Sequence, residues 1–132
     1  MIHDPHVPAT HVDLTERKIG VLSTIGSSGR PQSTAVWFML DDDGIVRTSL
    51  TNDRQKTKNM LANPKATLFV LDAANPLRTL ELRCDVAISD DPDLTMMRRI
   101  VGNYGVDFDT FPAPREGRVL VELTPRRIIA QG

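Results

Sequence analysis

Between Leu80 and Ile88 the chain alternates with a period of two: Leu80, Leu82, Cys84, Val86 and Ile88 stand against Glu81, Arg83 and Asp85. Successive side chains of a strand point to opposite faces, so this stretch requires a half-buried strand. Val119, Val121 and Leu123 alternate with Arg118, Glu122 and Thr124 in the same way and predict the last strand. Ile19 to Ile25 is a compact apolar run closed by Gly26-Ser27-Ser28-Gly29, a strand and a tight turn. Pro31 to Leu40 is extended. Its first half is polar at Gln32-Ser33-Thr34, and its second half, Val36 to Leu40, is apolar on both faces, as in a strand covered from both sides. Asp41-Asp42-Asp43-Gly44 predicts a hairpin turn, because Asp-Gly supplies positive φ. Ile45 to Leu50 returns as a strand, and Ala66 to Leu71 is another, followed by a loop over Asp72 to Pro76.

Two helices interrupt these strands. One covers residues 54–62, with Asn52 or Asp53 as N-cap, a capping box between Asn52 and Gln55, and a stop at Asn63-Pro64. The other opens at Pro92 and runs to Tyr104, with Leu94, Met97, Val101 and Tyr104 at helical spacing and Gly105 beyond its end. Asp13 to Lys18 suggests one further helical turn. Six strands and two short helices in 132 residues suggest a mostly β domain. An antiparallel barrel would remove exposed edges; an open α+β sheet is the alternative. Residues 1–13, polar and punctuated by proline, read as an N-terminal arm ahead of a single domain over 14–132.

The net charge of −1 predicts binding to neither nucleic acid nor a membrane surface, so any cationic effect must be local. No apolar run approaches the roughly 20 residues that span a bilayer, and the N-terminus lacks the apolar stretch of a signal peptide. Cys84 is the only cysteine, which excludes an intrachain disulfide and fits a reducing, cytoplasmic setting. On the apolar side of its strand it reads as a small core residue.

The helix at residues 54–62 starts against its own dipole. Arg54, Lys56 and Lys58 crowd the first turns, where free N–H groups already carry positive partial charge. Such cations together with those N–H groups make a candidate phosphate site; a solvated basic face is the commoner outcome. The remaining candidates are thinner. His3, His6 and His11 have a spacing that a metal accepts, but no acid or cysteine pattern accompanies them, and no metal is expected. Gly26 to Gly29 lacks the Gly-Lys-Ser/Thr ending of a phosphate loop. Asp41, Asp42 and Asp43 read as turn residues, and Met96, Met97 and Tyr104 as helix packing. Trp37 reads as core, with a planar ligand against its strand as the alternative. No nucleophile–histidine–acid arrangement is present, so catalytic residues are unknown and an enzyme of this kind would depend on a cofactor.

The ordered set Ile19 to Ile25, Gly29-Arg30-Pro31-Gln32, Val36-Trp37-Phe38, Asp43-Gly44, the helix Arg54 to Met60 and Asn63-Pro64-Lys65-Ala66 resembles the flavin and deazaflavin split-barrel superfamily related to pyridoxamine 5′-phosphate oxidase. With Asn75 to Arg83, it is most similar to the branch of small reductases that use coenzyme F420. The resemblance implies a six-stranded, Greek-key-like FMN-binding split barrel. It implies a homodimer with two cofactor sites at the interface, and hydride transfer from reduced F420 to a small electron-poor substrate. FMN is the alternative cofactor, and a non-enzymatic flavin, deazaflavin or haem carrier the alternative role. By position, the ring system would lie along Gln32, Ser33, Thr34, Ala35, Val36 and Trp37 and along Ser49, Leu50 and Thr51. The phosphate would fall on Arg54, Lys56 and Thr57, with Asn59 a weaker match. The oxidase members carry cations on strand two where this chain has Ser33 to Val36, which argues against vitamin B6 oxidation.

Overall fold

The structure, a computed structural model, describes residues 5–132. After a single 3₁₀ turn at Val12–Thr15 come β1 (Ile19–Ile25), β2 (Pro31–Trp37), β3 (Met39–Leu40), β4 (Val46–Thr51), α1 (Gln55–Ala62), β5 (Lys65–Asp72), β6 (Asn75–Asp90), α2 (Thr95–Asn103) and β7 (Arg118–Gln131). All pairings are antiparallel, in the order β2-β1-β5-β6-β7-β4-β3.

That order dictates the shape. β2 and β3 lie at opposite edges of the sheet, yet only Phe38 separates them in sequence. One residue spans only about 3.8 Å, so the sheet must curl until its edges meet. The Thr48 hydroxyl on β4 ties this seam by donating to the Trp37 carbonyl at 2.6 Å. The fold is thus a curled antiparallel half-barrel with short helices, as expected, but with seven strands rather than six. The extra strand arises because the segment over Pro31 to Leu40 changes edge at Phe38 instead of running on.

Phe38 is fully buried at that crossing, among a core that includes Leu22, Val46, Leu68, Leu80, Leu82, Val121 and Leu123. Gly20 makes the close packing possible: a Cβ there would lie 2.6 Å from Leu68 Cδ1 and 3.0 Å from the Phe38 ring. The alternation over Leu80 to Ile88 holds, with Leu80, Leu82 and Cys84 buried and Val86 and Ile88 packed at the core's margin. Burial pushes the Cys84 thiol up to about 12, which keeps it in its unreactive form.

Several boundaries shift. Asp72 to Pro76 is a two-residue connection between long strands, not a loop, and β7 continues to Gln131 past an irregularity where Cys84 pairs with Pro125. The first helical turn is Val12–Thr15 rather than Asp13 to Lys18. It packs with His11, whose buried ring lies 2.8 Å through Nε2 from the Gln131 carbonyl. His6 is exposed, and His3 lies outside the described residues. Among the described residues no three His, Cys, Asp or Glu side chains converge as a metal site, and no helix is long and apolar enough to cross a membrane.

α2 begins at Thr95, not Pro92. Leu94 sits in the left-handed region at φ 60°, and the buried Asp91 carboxylate accepts the N–H groups of Met96 at 3.0 Å and Met97 at 3.3 Å. α1 begins differently. Its N-cap is Arg54, not Asn52 or Asp53, and no side chain caps it. Asp53 accepts the Thr51 hydroxyl at 2.6 Å instead, and the Gln55 amide donates down the helix to Asn59 Oδ1 at 2.8 Å, so the expected capping box does not form.

Candidate functional site

A cavity of about 260 Å³ opens between β2, β4, α1, α2 and the segment leading into β7. One wall is apolar and aromatic. Trp37 contributes it from the end of β2, held by a parallel stack on Tyr104 with ring centres 4.5 Å apart and planes at 5°, and by a second stack on Phe111 at 5.5 Å. The Tyr104 hydroxyl is itself pinned: it accepts the Phe38 N–H at 3.0 Å and lies 2.6 Å from the Lys18 carbonyl. Met97, Ile100 and Val101 of α2 complete that wall with Ala113 and Pro114.

The segment carrying Phe111, Ala113 and Pro114 is braced rather than loose. The Arg115 guanidinium donates to the Phe108 carbonyl at 2.6 Å and the Ala113 carbonyl at 3.0 Å, and lies 4.2 Å from the Phe108 ring centre. Arg98 lies over the same ring at 4.3 Å. Cation–π contacts of this kind add to the packing.

The opposite side of the cavity is cationic. Lys56 projects from the first turn of α1 and is only 6% exposed, a depth at which lysine is normally neutralised by a carboxylate. Here its Nζ donates to the Thr34 hydroxyl at 3.0 Å and forms no ion pair among the described residues. Burial, and then the charge of Arg54, holds its pKa below the ordinary lysine value. Arg118, at the start of β7 and paired in register with Thr51, donates to the Pro114 carbonyl at 2.7 Å and reaches Ser49 Oγ at 3.4 Å. It also lacks an ion pair among the described residues. Burial, then Arg115 and Arg54, lowers its pKa. Arg54 completes the cationic side. No lining residue is Asp, Glu, His or Cys.

The structure brings Ala35, Val36, Trp37, Ser49, Leu50, Thr51, Arg54 and Lys56 together around this cavity. It does not bring Gln32, Ser33, Thr57 or Asn59 to its lining. Ser33 bonds Ser23 across the β1–β2 pair at 2.8 Å. Asn59 is buried and donates to Thr24 Oγ1 at 3.1 Å and Gln32 Oε1 at 2.9 Å, which docks α1 onto β1 and β2. Thr57, fully buried, donates to the Thr51 carbonyl at 2.8 Å and fixes the entry into α1. Thr34 lies behind the lining as the hydroxyl partner of Lys56. Arg118, Phe111 and Pro114 were not foreseen as site residues. Nothing in the local sequence marks them, because only the Thr51–Arg118 register and the course of the segment after α2 carry them there.

Residues 8–132 match the family model described as pyridoxamine 5′-phosphate oxidase. The chain belongs to that family. Among solved structures it is similar to an F420 reductase at 32% identity and a TM-score of 0.84, over 93% of this chain and 98% of the other. It shares its fold with a conserved hypothetical protein from Mycobacterium tuberculosis (21% identity, TM-score 0.75, 97% of this chain and 86% of the other). It shares it also with a haem storage protein from Vibrio cholerae (16% identity, TM-score 0.69, 94% of each chain). The family supports an oxidoreductase or flavin-binding role for the fold at a coarse level, and its structural relatives include a haem protein as well as a reductase.

Proposed function

We propose that this chain is a cytoplasmic oxidoreductase that uses reduced coenzyme F420 to transfer hydride to a small electron-poor organic substrate. The observation that carries the reading is a single cavity with a stacked aromatic wall at one side and acid-free cations at the other. A planar ring system bearing a phosphate matches both ends, and similarity to an F420 reductase favours the deazaflavin over FMN. A haem role is disfavoured: the lining offers no histidine, cysteine or tyrosine as an axial ligand, only Met97.

In this reading Arg54 and Lys56 hold the phosphate, and Thr57 acts behind them by fixing the first turn of α1. The backbone of β2 from Gln32 to Trp37 and of β4 from Ser49 to Thr51 flanks the ring system. The Ser49 hydroxyl and nearby N–H groups orient its polar edge. Asn59 and Gln32 serve the site through their mutual bond, which keeps α1 against β2. When bound, reduced F420 supplies the hydride. The chain's own contribution is placement and exclusion of water by Trp37, Phe111, Met97 and Ile100. The lining holds no carboxyl or imidazole group, so the accompanying proton comes from solvent.

The reading includes a homodimer whose interface completes two such sites. The outward side of β1 supports it: Ile19, Val21 and Ile25 are 53%, 38% and 39% exposed and lie on one face of the strand. The mass in solution by light scattering should be twice that of the chain.

Separate titrations with F420 and FMN test the cofactor, using the absorbance of the first near about 420 nm and of the second near about 450 nm. F420 should bind more tightly, and Lys56→Ala should weaken it by about tenfold. Tighter binding of FMN would assign the site to a flavin instead.

A further inference from the structure

We infer that Arg118 is a third arm of the anion site, so that the cavity selects a ligand group carrying two or more negative charges. This rests partly on the reading above, since it concerns the same cavity, but it adds a residue from a different strand and a charge requirement.

The argument begins with what Arg118 lacks. It is the first residue of β7, opposite Thr51 of β4, and is half-buried. Its guanidinium has five N–H donors, and the bonds it makes are to the Pro114 carbonyl and, weakly, to Ser49 Oγ. Neither partner bears a charge. The acid whose charge acts on it, Asp91, is already committed to the start of α2. Arg118 therefore stays in a field of like charge: Arg54 and Arg115 both act on it, and Arg54 acts also on Lys56. Three cations from β7, the turn before α1, and α1 itself thus converge on one cavity without a carboxylate on its lining.

One monoanion would leave such a cluster with excess positive charge. A dianionic phosphate, or a phosphate with a second anionic group close by, would balance it. Arginine is the residue suited to this, because its planar fork meets two oxygens at once. Ser49 and Pro114 hold the fork in place, so little side-chain freedom is lost on binding.

The test uses inorganic pyrophosphate, an anion with no ring. Trp37 is the only tryptophan and lines the same cavity, so its fluorescence reports occupancy. The wild-type chain should bind pyrophosphate. Arg118→Gln should weaken that binding by about tenfold and flatten its salt dependence. Arg118→Lys, which keeps the charge but loses the two-oxygen fork, should bind more weakly than wild type and more tightly than Arg118→Gln. Arg127→Gln, a change to an exposed arginine outside the cavity, should leave the affinity unchanged. The same variants are then titrated with F420 and with its phosphate-free ribityl deazaflavin. Arg118→Gln should weaken the first and spare the second, a difference that damage to the fold cannot produce.

Equal affinity of wild type and Arg118→Gln for pyrophosphate, or an equal loss with F420 and its phosphate-free form, would overturn the inference. Absence of pyrophosphate binding to the wild type would overturn it too. Failure of the cofactor reading looks different: pyrophosphate would bind and depend on Arg118, while neither F420 nor FMN would bind.

Discussion

Two groups of cations in this molecule are built in opposite ways. Arg47 on β4 lies among carboxylates, with Asp41 at 2.6 Å, Asp43 at 2.8 Å and Glu122 at 3.0 Å, and Asp41 is shared with Arg99 at 2.6 Å. Arg54, Lys56 and Arg118 meet at the cavity, where the side-chain bonds of Lys56 and Arg118 go only to hydroxyls and a carbonyl. The first group needs nothing further: its arginine pKa is raised by its acid partners. The second group has its pKa values lowered at Lys56 and Arg118, which means the folded chain holds those charges at a cost. A cation with acids around it joins a hairpin to a neighbouring strand. A cation kept without them is available to a ligand.

The contrast predicts opposite consequences of removing charge. The largest effect belongs to Arg47→Ala, which leaves Asp43 and Glu122 without their partner and Asp41 with Arg99 alone, and should lower unfolding stability by about 2 kcal/mol, read from urea denaturation. Lys56→Met should do the reverse. With no carboxylate orphaned and a buried ammonium removed, the unliganded chain should gain about 1 kcal/mol while its affinity for an anionic ligand falls by about tenfold. If both substitutions destabilised equally, the two clusters would be alike and the contrast would fail.

The effect of Lys56 also depends on pH. Its pKa in the folded chain lies below the ordinary 10.5, to which it returns on unfolding. Below the folded value both states carry the proton, so the full cost of the buried charge is present. Between the two values the unfolded chain binds more protons, so the stability of the wild type rises with pH. The advantage of Lys56→Met should therefore shrink as the pH rises towards 10.5, and anion affinity should fall over the same range as the ammonium discharges. Arg47→Ala should show no such dependence there. The smallest effect is that of Thr34→Val, which removes the hydroxyl that Lys56 reaches and should cost about 0.5 kcal/mol in stability.

Much of the barrel was legible because strands announce themselves locally. The alternation at Leu80 to Ile88 and the Asp-Gly turn at Asp43-Gly44 depend only on neighbours in sequence, and both hold. The errors fall where tertiary contact decides. The second strand breaks at Phe38 because the curled sheet passes from one edge to the other there, which no local pattern records. α2 starts three residues late because Asp91, five residues upstream of Met96, supplies the acceptor. α1 loses its capping box because Thr51 takes Asp53 and Asn59 takes Gln55. The same limit applies to the site. The conflict of charge at the start of α1 was visible in the sequence, since it is local. Arg118 was not, because its place beside that helix is set by a strand pairing across 67 residues, from Thr51 to Arg118.

The most direct test of the account compares melting of the wild type and Lys56→Met, each with and without F420. Lys56→Met should melt at or above the wild type when unliganded, and F420 should raise the melting temperature of the wild type by more than that of the variant. A variant that melts well below the wild type yet gains the same increment from F420 would contradict the claim that these cations are kept unpaired for a ligand.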